Sequence, residues 1–161
     1  MTTTGSRELS TTPVLAGQLR AGLRVILKGH PCKLTQFSIS KTGKHGHAKC
    51  KGMAEDIFTK VSYPFLAMSH DKVQQPEVRE DKYQLLAVDS EGYLSLLNDG
   101  GEIKRDLKCA EGDDELSAQI IATFDRVECG EENDDAVVEI RVLCALDMEK
   151  VVGVKETTIK I

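Results

Sequence analysis

Short apolar runs broken by turn residues most strongly limit what this chain can fold into. Residues 24–28 and 32–40 carry the apolar and β-branched side chains typical of strands, and glycine, proline, asparagine and aspartate separate such runs along the chain. Helical spacing of apolar residues is convincing only over 114–128, which follows a possible aspartate cap and precedes Gly130. The sequence therefore predicts a mainly β protein with one helix. The other predicted strands are residues 48–54, 57–61, 83–88, 93–97, 136–146 and 150–155.

A polar stretch over residues 69–82 divides these strands into two groups. It contains Pro76 and coincides with a change in the sign of the charge, which is typical of a domain boundary. Several strands and one helix in the second group favour a five-stranded barrel of the OB type, whereas the first group favours a smaller antiparallel barrel. The predicted organisation is a disordered leader over 1–13, a first barrel over 14–75, an OB-fold over 83–155 and a tail over 156–161.

The two halves of the chain carry opposite charge. Residues 1–75 contain 11 Lys and Arg against four Asp and Glu, a net charge of +7, whereas residues 76–161 contain 10 against 22, a net charge of −12. All four histidines also fall in the basic half. This asymmetry predicts that the first half meets a polyanion and that the second half keeps the molecule soluble.

The apolar runs and the cysteines indicate the compartment. The longest apolar run, residues 63–68, has six residues, whereas a membrane-spanning helix needs about 20. The first residues lack the basic flank and apolar core of a secretory signal. The five cysteines show no paired short spacing, which suits reduced thiols. We therefore expect a cytoplasmic protein with no membrane partner.

Basic side chains are most concentrated in residues 41–51, where four lysines and two histidines occur without an acidic residue. Gly43 and Gly46 bracket Lys44 and His45, so a tight hairpin with Lys44 at its tip is predicted. A long stem that ends in a compact cation can reach into a phosphate-lined cleft without reading sequence. The residues alone thus predict a basic, strand-rich RNA-binding module.

Three other kinds of site do not fit this segment. A nucleotide-binding phosphate loop is rejected because His45 stands where Ser or Thr should hold magnesium, and Ser38 stands where the leading glycine belongs. The spacing of Cys32, His45, His47 and Cys50 matches no usual zinc knuckle, and the neighbouring lysines would repel a dication. A hydrolase would need a nucleophile in an elbow motif and an orienting carboxylate, neither of which accompanies the histidines. We therefore predict no catalytic and no metal-ligating residue.

Residues 38–49, which read SISKTGKHGHAK, closely resemble the signature of the eukaryotic translation initiation factor 5A family, the hypusine-containing translation factors. Three further segments look like family landmarks and occur in the family's order, namely KGHPCK at 28–33, DIFT at 56–59 and GYLSLL at 92–97. The resemblance implies an N-terminal SH3-like barrel followed by an OB-fold, in agreement with the two predicted barrels.

The resemblance also implies a modification and a function. By its position in the motif, Lys44 corresponds to the lysine that receives an aminobutyl group from spermidine and is then hydroxylated to hypusine. The implied partners are deoxyhypusine synthase and deoxyhypusine hydroxylase, the ribosome with its rRNA and proteins, and peptidyl-tRNA. The implied function is to steady peptidyl-tRNA, to promote peptide bond formation at stalled polyproline sequences and to aid termination. Catalysis would remain with the ribosome. The chain is therefore not expected to be an enzyme or to hold a cofactor.

The remaining residues of the segment have predicted roles. Gly43 and Gly46 should shape the turn, and Thr42 should bond its backbone. The other side chains are expected to contact RNA or the modifying enzyme, and they are Lys41, His45, His47 and Lys49.

An alternative function is general binding of single-stranded RNA by the OB-fold. Such a protein would need aromatic stacking platforms and a basic second half. The second half offers only Tyr83, Tyr93 and Phe124, and its net charge is −12. Phe124 is also assigned to the core face of the predicted helix, so this alternative has less support from the residues.

Overall fold

The computed structural model describes residues 9–41, 48–109, 113–130 and 135–158. The described residues divide into two compact units, one within residues 9–78 and one within residues 79–158, called here the N-terminal unit and the C-terminal unit. Antiparallel strands make up most of both units, and the described residues contain one α-helix. The predicted fold class, mainly β with two small barrel-like units and one helix, is confirmed.

The N-terminal unit contains a four-stranded antiparallel sheet and a separate strand pair. The sheet has the order β2-β3-β4-β5, and β1 pairs with β6. Along β4, buried Cys50 and Ala54 share the face turned to the core, whereas Lys49 and Lys51 lie exposed on the other face, as the period of two in a strand requires. The six strands are β1 (Thr11–Leu15), β2 (Arg24–Leu27), β3 (His30–Lys41), β4 (Ala48–Asp56), β5 (Ser62–Met68) and β6 (Lys72–Pro76).

The C-terminal unit contains the helix α1 and a five-stranded sheet of order β11-β10-β7-β8-β9, in which β10 pairs antiparallel with β11 and β8 pairs antiparallel with β7 and β9. Lys104 Nζ on β9 lies 3.0 Å from Glu149 Oε1 on β11, so an ion pair joins the two outermost strands of the sheet. This closure is the arrangement expected for an OB-type barrel. The elements are β7 (Val78–Val88), β8 (Tyr93–Leu97), β9 (Ile103–Lys108), α1 (Asp114–Cys129), β10 (Ala136–Ala145) and β11 (Met148–Thr158).

The helix α1 follows the prediction closely. It begins after Asp113, whose side chain accepts a hydrogen bond from the Leu116 backbone N–H at 3.0 Å, and it extends to Cys129. Ile120 from its apolar stripe is completely buried, so the stripe packs into the core of the unit. No helix within the described ranges is long and apolar enough to cross a membrane.

Two segments that the sequence did not predict as strands form strands. β1 begins at Thr11, inside the predicted disordered leader, and Leu9 before it is buried. β6 and the start of β7 occupy the predicted polar boundary, and β6 pairs with β1 from Thr11 opposite Pro76 to Leu15 opposite Lys72. Backbone pairing across the unit stabilises these polar residues as strands although their own pattern does not predict it.

The strand predicted over residues 57–61 is wrong. This stretch is a turn, and the next strand, β5, starts at Ser62. The carboxylate of Asp56 accepts hydrogen bonds from the backbone N–H groups of Phe58 and Thr59, which bends the chain directly after β4. At the other end of the chain, β11 continues to Thr158 and so includes the first residues of the predicted tail.

Candidate functional site

The basic segment lies at one end of the hairpin formed by β3 and β4. The two strands remain paired up to Lys41 opposite Ala48, and residues 42–47 connect them along the chain. Of the predicted loop residues, the structure describes Lys41 and Lys49, both of which are exposed. The others lie outside the described residues, and they are Thr42, Gly43, Lys44, His45, Gly46 and His47.

Apolar packing braces the hairpin on its inner face. The rings of Phe37 and Phe65 lie with centroids 6.2 Å apart and a tilt of 48°. Cys50, opposite Ile39 in the strand pairing, is completely buried, and burial followed by the negative charge of Asp71 raises the pKa of its thiol. Cys50 therefore packs as a small neutral side chain, and both strands that lead to the basic segment are held against the core.

Gly52 allows β4 to pass unusually close to β3. The pairing register shifts between Leu34 and Gln36, and a Cβ atom on Gly52 would collide with the carbonyl oxygen of Gln36. Because the obstructing atom belongs to the backbone of a paired strand, it cannot turn aside as a flexible side chain could. Position 52 therefore requires glycine for close approach rather than for an unusual backbone angle.

We expect Gly52→Ala to lower the free energy of unfolding of the N-terminal unit by about 2–3 kcal/mol, because the strands must separate to admit the methyl group. Native-state hydrogen exchange on the full chain measures this value for each unit. The control is Gly100→Ala, whose Cβ would lie 3.4 Å from the nearest atom, Asn98 Oδ1, and which should cost about 0.5 kcal/mol or less. Equal effects of the two changes would contradict the close approach at Gly52.

A buried carboxylate holds the opposite end of the hairpin. Asp56 is only 2% exposed, and its Oδ1 accepts hydrogen bonds from the backbone N–H groups of Phe58 at 2.8 Å and Thr59 at 3.2 Å. Its Oδ2 lies 3.1 Å from His30 Nδ1, and the His30 ring stacks on Tyr63 with centroids 5.3 Å apart. Asp56 thus ties the start of β3, the end of β4 and the turn before β5 together.

Sequence reasoning found Asp56 only as part of the DIFT landmark and assigned it no role. The available signal was an aspartate directly before a chain reversal, which is typical of a side chain that bonds the backbone two residues ahead. Its contact with His30 could not be read from that signal, because it depends on how β3 and β4 pair.

The two cysteines of the rejected zinc site, Cys32 and Cys50, lie at different positions along the paired strands β3 and β4. Cys32 lies opposite Asp56, whereas Cys50 lies opposite Ile39. Burial, followed by the negative charge of Asp56, raises the pKa of the Cys32 thiol to about 11, so the thiolate that a metal requires is disfavoured. Among the described residues, no three His, Cys, Asp or Glu side chains are placed to hold a metal ion. His45 and His47 lie outside that part of the chain.

Two family models together match nearly the whole chain. The model described as translation initiation factor 5A-like, N-terminal, matches residues 9–70. The model described as eukaryotic elongation factor 5A hypusine, DNA-binding OB fold, matches residues 77–155. These matches fall on the two compact units of the structure.

Known proteins give the same result. Eukaryotic translation initiation factor 5A-2 of Arabidopsis thaliana is 40% identical over 146 residues, which cover 91% of this chain and 86% of the relative. A solved structure of a translation initiation factor 5A family protein from Naegleria fowleri superposes with a TM-score of 0.77 at 34% identity, covering 90% of this chain and 98% of that one. The factor 5A structure from Methanococcus jannaschii gives a TM-score of 0.63 at 28% identity, covering 90% and 95%. The chain therefore belongs to the translation initiation factor 5A family of translation factors.

Proposed function

We propose that this chain is a non-enzymatic cytoplasmic translation factor that acts on the ribosome through a hypusine at Lys44. The modified side chain steadies the acceptor end of peptidyl-tRNA, promotes peptide bond formation at stalled sequences such as consecutive prolines, and aids termination. The observation that carries the proposal is the complete family signature over residues 38–49, which includes the end of β3 and the start of β4, two strands that remain paired up to Lys41 opposite Ala48.

The contacts that hold the β3–β4 hairpin against the core suit a role in which the protein positions the basic segment. Cys50 and Phe65 hold the hairpin to the core on its inner face, and Asp56 secures its far end. Strands held in this way fix the positions of Lys41 and Ala48, so less freedom is lost at these two residues when an ordered partner binds. Orientation of reactants alone can contribute several kcal/mol to a reaction that another catalyst performs.

The modification gives the side chain a length and hydrogen-bonding groups that lysine lacks. An aminobutyl group transferred from spermidine to Nζ lengthens the stem and adds a second cationic amine, and hydroxylation then adds a donor and acceptor. Such a side chain can span from a basic hairpin to phosphate and ribose oxygens. The proposed partners are deoxyhypusine synthase and deoxyhypusine hydroxylase for the modification, and then the ribosome and peptidyl-tRNA. The other loop residues, Lys41, Thr42, Gly43, His45, Gly46, His47 and Lys49, shape the loop or contact these partners.

General binding of single-stranded RNA by the OB-fold is less well supported. Lys108 Nζ lies 5.2 Å from the centroid of the Tyr93 ring, so a cation already covers one face of this candidate stacking platform. Phe124 is partly buried on α1 rather than presented on the sheet.

The proposal predicts that the protein isolated from its native source carries hypusine at Lys44 and at no other lysine. The motif places Lys44 alone at the position that the modifying enzyme reads. Peptide mass spectrometry across residues 41–51 locates the added mass. Unmodified Lys44 in the native protein, or the added mass on Lys41 or Lys49 instead, would contradict the proposal.

A further inference from the structure

The strand β5 lies at one edge of the four-stranded sheet and carries a large exposed apolar side chain. Among the described strands, the order β2-β3-β4-β5 places β4 on one side of β5 and none on the other. Leu66 in β5 is 69% exposed, the largest exposure among the large apolar side chains of the described residues. An open edge with an apolar residue is a place where a second chain can add a strand. The backbone contacts along this edge therefore decide whether such pairing can occur.

Two hydrogen bonds show which backbone groups of β5 face outward. At one end of the strand pair, the Ser69 N–H donates to the Ala48 carbonyl at 2.8 Å. At the other end, the Asp56 N–H donates to the Val61 carbonyl at 2.9 Å. Hydrogen-bonded pairs alternate with non-hydrogen-bonded pairs in an antiparallel ladder, and both bonds fix the same phase in the β4–β5 register. The residues whose backbone groups point away from β4 are therefore Ser62, Pro64, Leu66 and Met68.

Two of these positions have no donor to offer a neighbouring strand. Pro64 has no backbone N–H. The Met68 N–H donates to Asp71 Oδ2 at 2.8 Å, and the Asp71 N–H donates back to the Met68 carbonyl at 3.0 Å. Asp71 thus takes the place beside Met68 that an added strand would need. The described residues provide no such contact for the N–H of Leu66, which lies between the two blocked positions.

The segment Ala16–Gln18 holds the backbone of Asp71 in place. The Ala16 N–H donates to the Asp71 carbonyl at 2.9 Å, and the Gly17 N–H donates to the Ser69 carbonyl at 2.9 Å. Ala16 is completely buried. The chain around Asp71 is therefore tied to the core of the N-terminal unit, which keeps the carboxylate beside Met68.

The two blocked positions coincide in the pairing that would cover Leu66. Two copies related by a two-fold axis at Leu66 would pair β5 with β5, with Leu66 opposite its counterpart. Pro64 and Met68 each lie two residues from Leu66, so Pro64 of one copy would fall opposite Met68 of the other. That residue pair has no free donor on either side. Only the backbone groups of Leu66 could then bond across the two copies.

We propose that Pro64 and Asp71 together protect the β5 edge, so that a second copy of this chain does not add a strand there and cover Leu66. Pro64 removes one donor from the edge, and the carboxylate of Asp71 occupies another. Proline and charged side chains are common means by which proteins prevent pairing at an edge strand. The inference concerns this edge alone and does not rest on the proposed function.

The test compares the wild-type full chain with Pro64→Val/Asp71→Ala, in which both donors are free to pair. Sedimentation equilibrium measures the association constant for dimer formation. Because two-fold symmetry restores each hydrogen bond twice, the association constant should rise by about 10-fold for Pro64→Val alone and by about 100-fold or more for the double variant. Pro64→Val keeps every contact of Asp71, so it tests the proposal even where the double variant folds poorly.

The matched control is Pro64→Val/Asp89→Ala. Asp89 Oδ1 also accepts backbone hydrogen bonds, from Glu91 and Tyr93 at 2.9 Å each, but it lies outside β5. The control therefore makes the same change in charge and should associate no more tightly than Pro64→Val alone. Equal association of the control and of Pro64→Val/Asp71→Ala would overturn the role of Asp71.

The Leu66 amide reports where the copies pair. Its hydrogen exchange, followed by NMR, should be fast in the wild type and should slow as the concentration of Pro64→Val/Asp71→Ala rises. Adding Leu66→Lys should return the association constant to the wild-type value, because two ammonium groups would then face each other. The proposal is wrong if the association constant of Pro64→Val and of the double variant stays at the wild-type value, or if Leu66→Lys does not lower it. None of these results bears on the hypusine at Lys44.

Discussion

Lys44→Arg is expected to abolish relief of stalling on a polyproline message while the fold stays intact. Arginine keeps the positive charge, but its guanidinium cannot be alkylated and hydroxylated into the longer side chain. Because the sequence predicts Lys44 at a loop tip, the free energy of unfolding should change by about 0.5 kcal/mol or less. The measurement is a reconstituted translation reaction in which each variant is first exposed to the modifying enzymes.

Lys49→Arg is the matched control for this experiment. It makes the same change in an exposed lysine of the same basic segment, opposite Ser40 on β3, and it keeps the charge that attracts phosphate. This variant should retain most of the activity. If both variants relieved stalling equally well, Lys44 would be one more surface charge and the proposed function would be wrong. If both failed, the segment would act through its lysines in general rather than through one modified side chain.

The second large effect concerns stability. Asp56→Ala should lower the free energy of unfolding of the N-terminal unit by about 2–4 kcal/mol, because it removes the buried carboxylate that accepts hydrogen bonds from the backbone N–H groups of Phe58 and Thr59. The substitution also removes the partner of His30, which lies 3.1 Å away. Native-state hydrogen exchange on the full chain should show the loss in the N-terminal unit and leave the C-terminal unit unchanged.

Asp89→Ala is a close control, because Asp89 Oδ1 also accepts two backbone hydrogen bonds, from Glu91 and Tyr93 at 2.9 Å each. Asp89 is exposed, so water can replace the lost acceptor and the cost should be about 1 kcal/mol. If Asp56→Ala lowered the free energy of unfolding no more than Asp89→Ala does, burial would not strengthen the Asp56 contacts. Asp56→Asn should fall between wild type and Asp56→Ala, because the amide oxygen can still accept from the backbone.

Local sequence patterns were enough to predict the helix, the fold class and the family. The helix over 114–128 could be predicted because its apolar residues recur at helical spacing between an aspartate cap and Gly130. The mainly β class followed from short apolar runs between turn residues, and the family followed from the order of the letters in residues 38–49. These signals involve residues close together in the chain, so they do not require knowledge of the packing.

Features that depend on pairing between distant segments needed the structure. The segment Lys72–Pro76 is polar and reads as a linker, yet it pairs with Thr11–Leu15, because a backbone can satisfy its hydrogen bonds in a sheet whatever its side chains are. A contact with a distant strand therefore decided the conformation of this segment. Residues 57–61 are a different case, because their apolar residues read as a strand but the local hydrogen bond from the Phe58 N–H to Asp56 makes them a turn.

The sequence by itself therefore determined most of the strands, the helix, the division of charge and the signature around Lys44. The tertiary structure decided that Lys49 and Lys51 share an exposed face with two serines and that Asp56 is buried against His30. A shift of one residue in register would exchange the two faces of a strand, and the irregularity between Leu34 and Gln36 is such a shift. Cross-strand neighbours are set by the cooperative fit of whole strands in the core, and the local sequence of one strand does not contain that information.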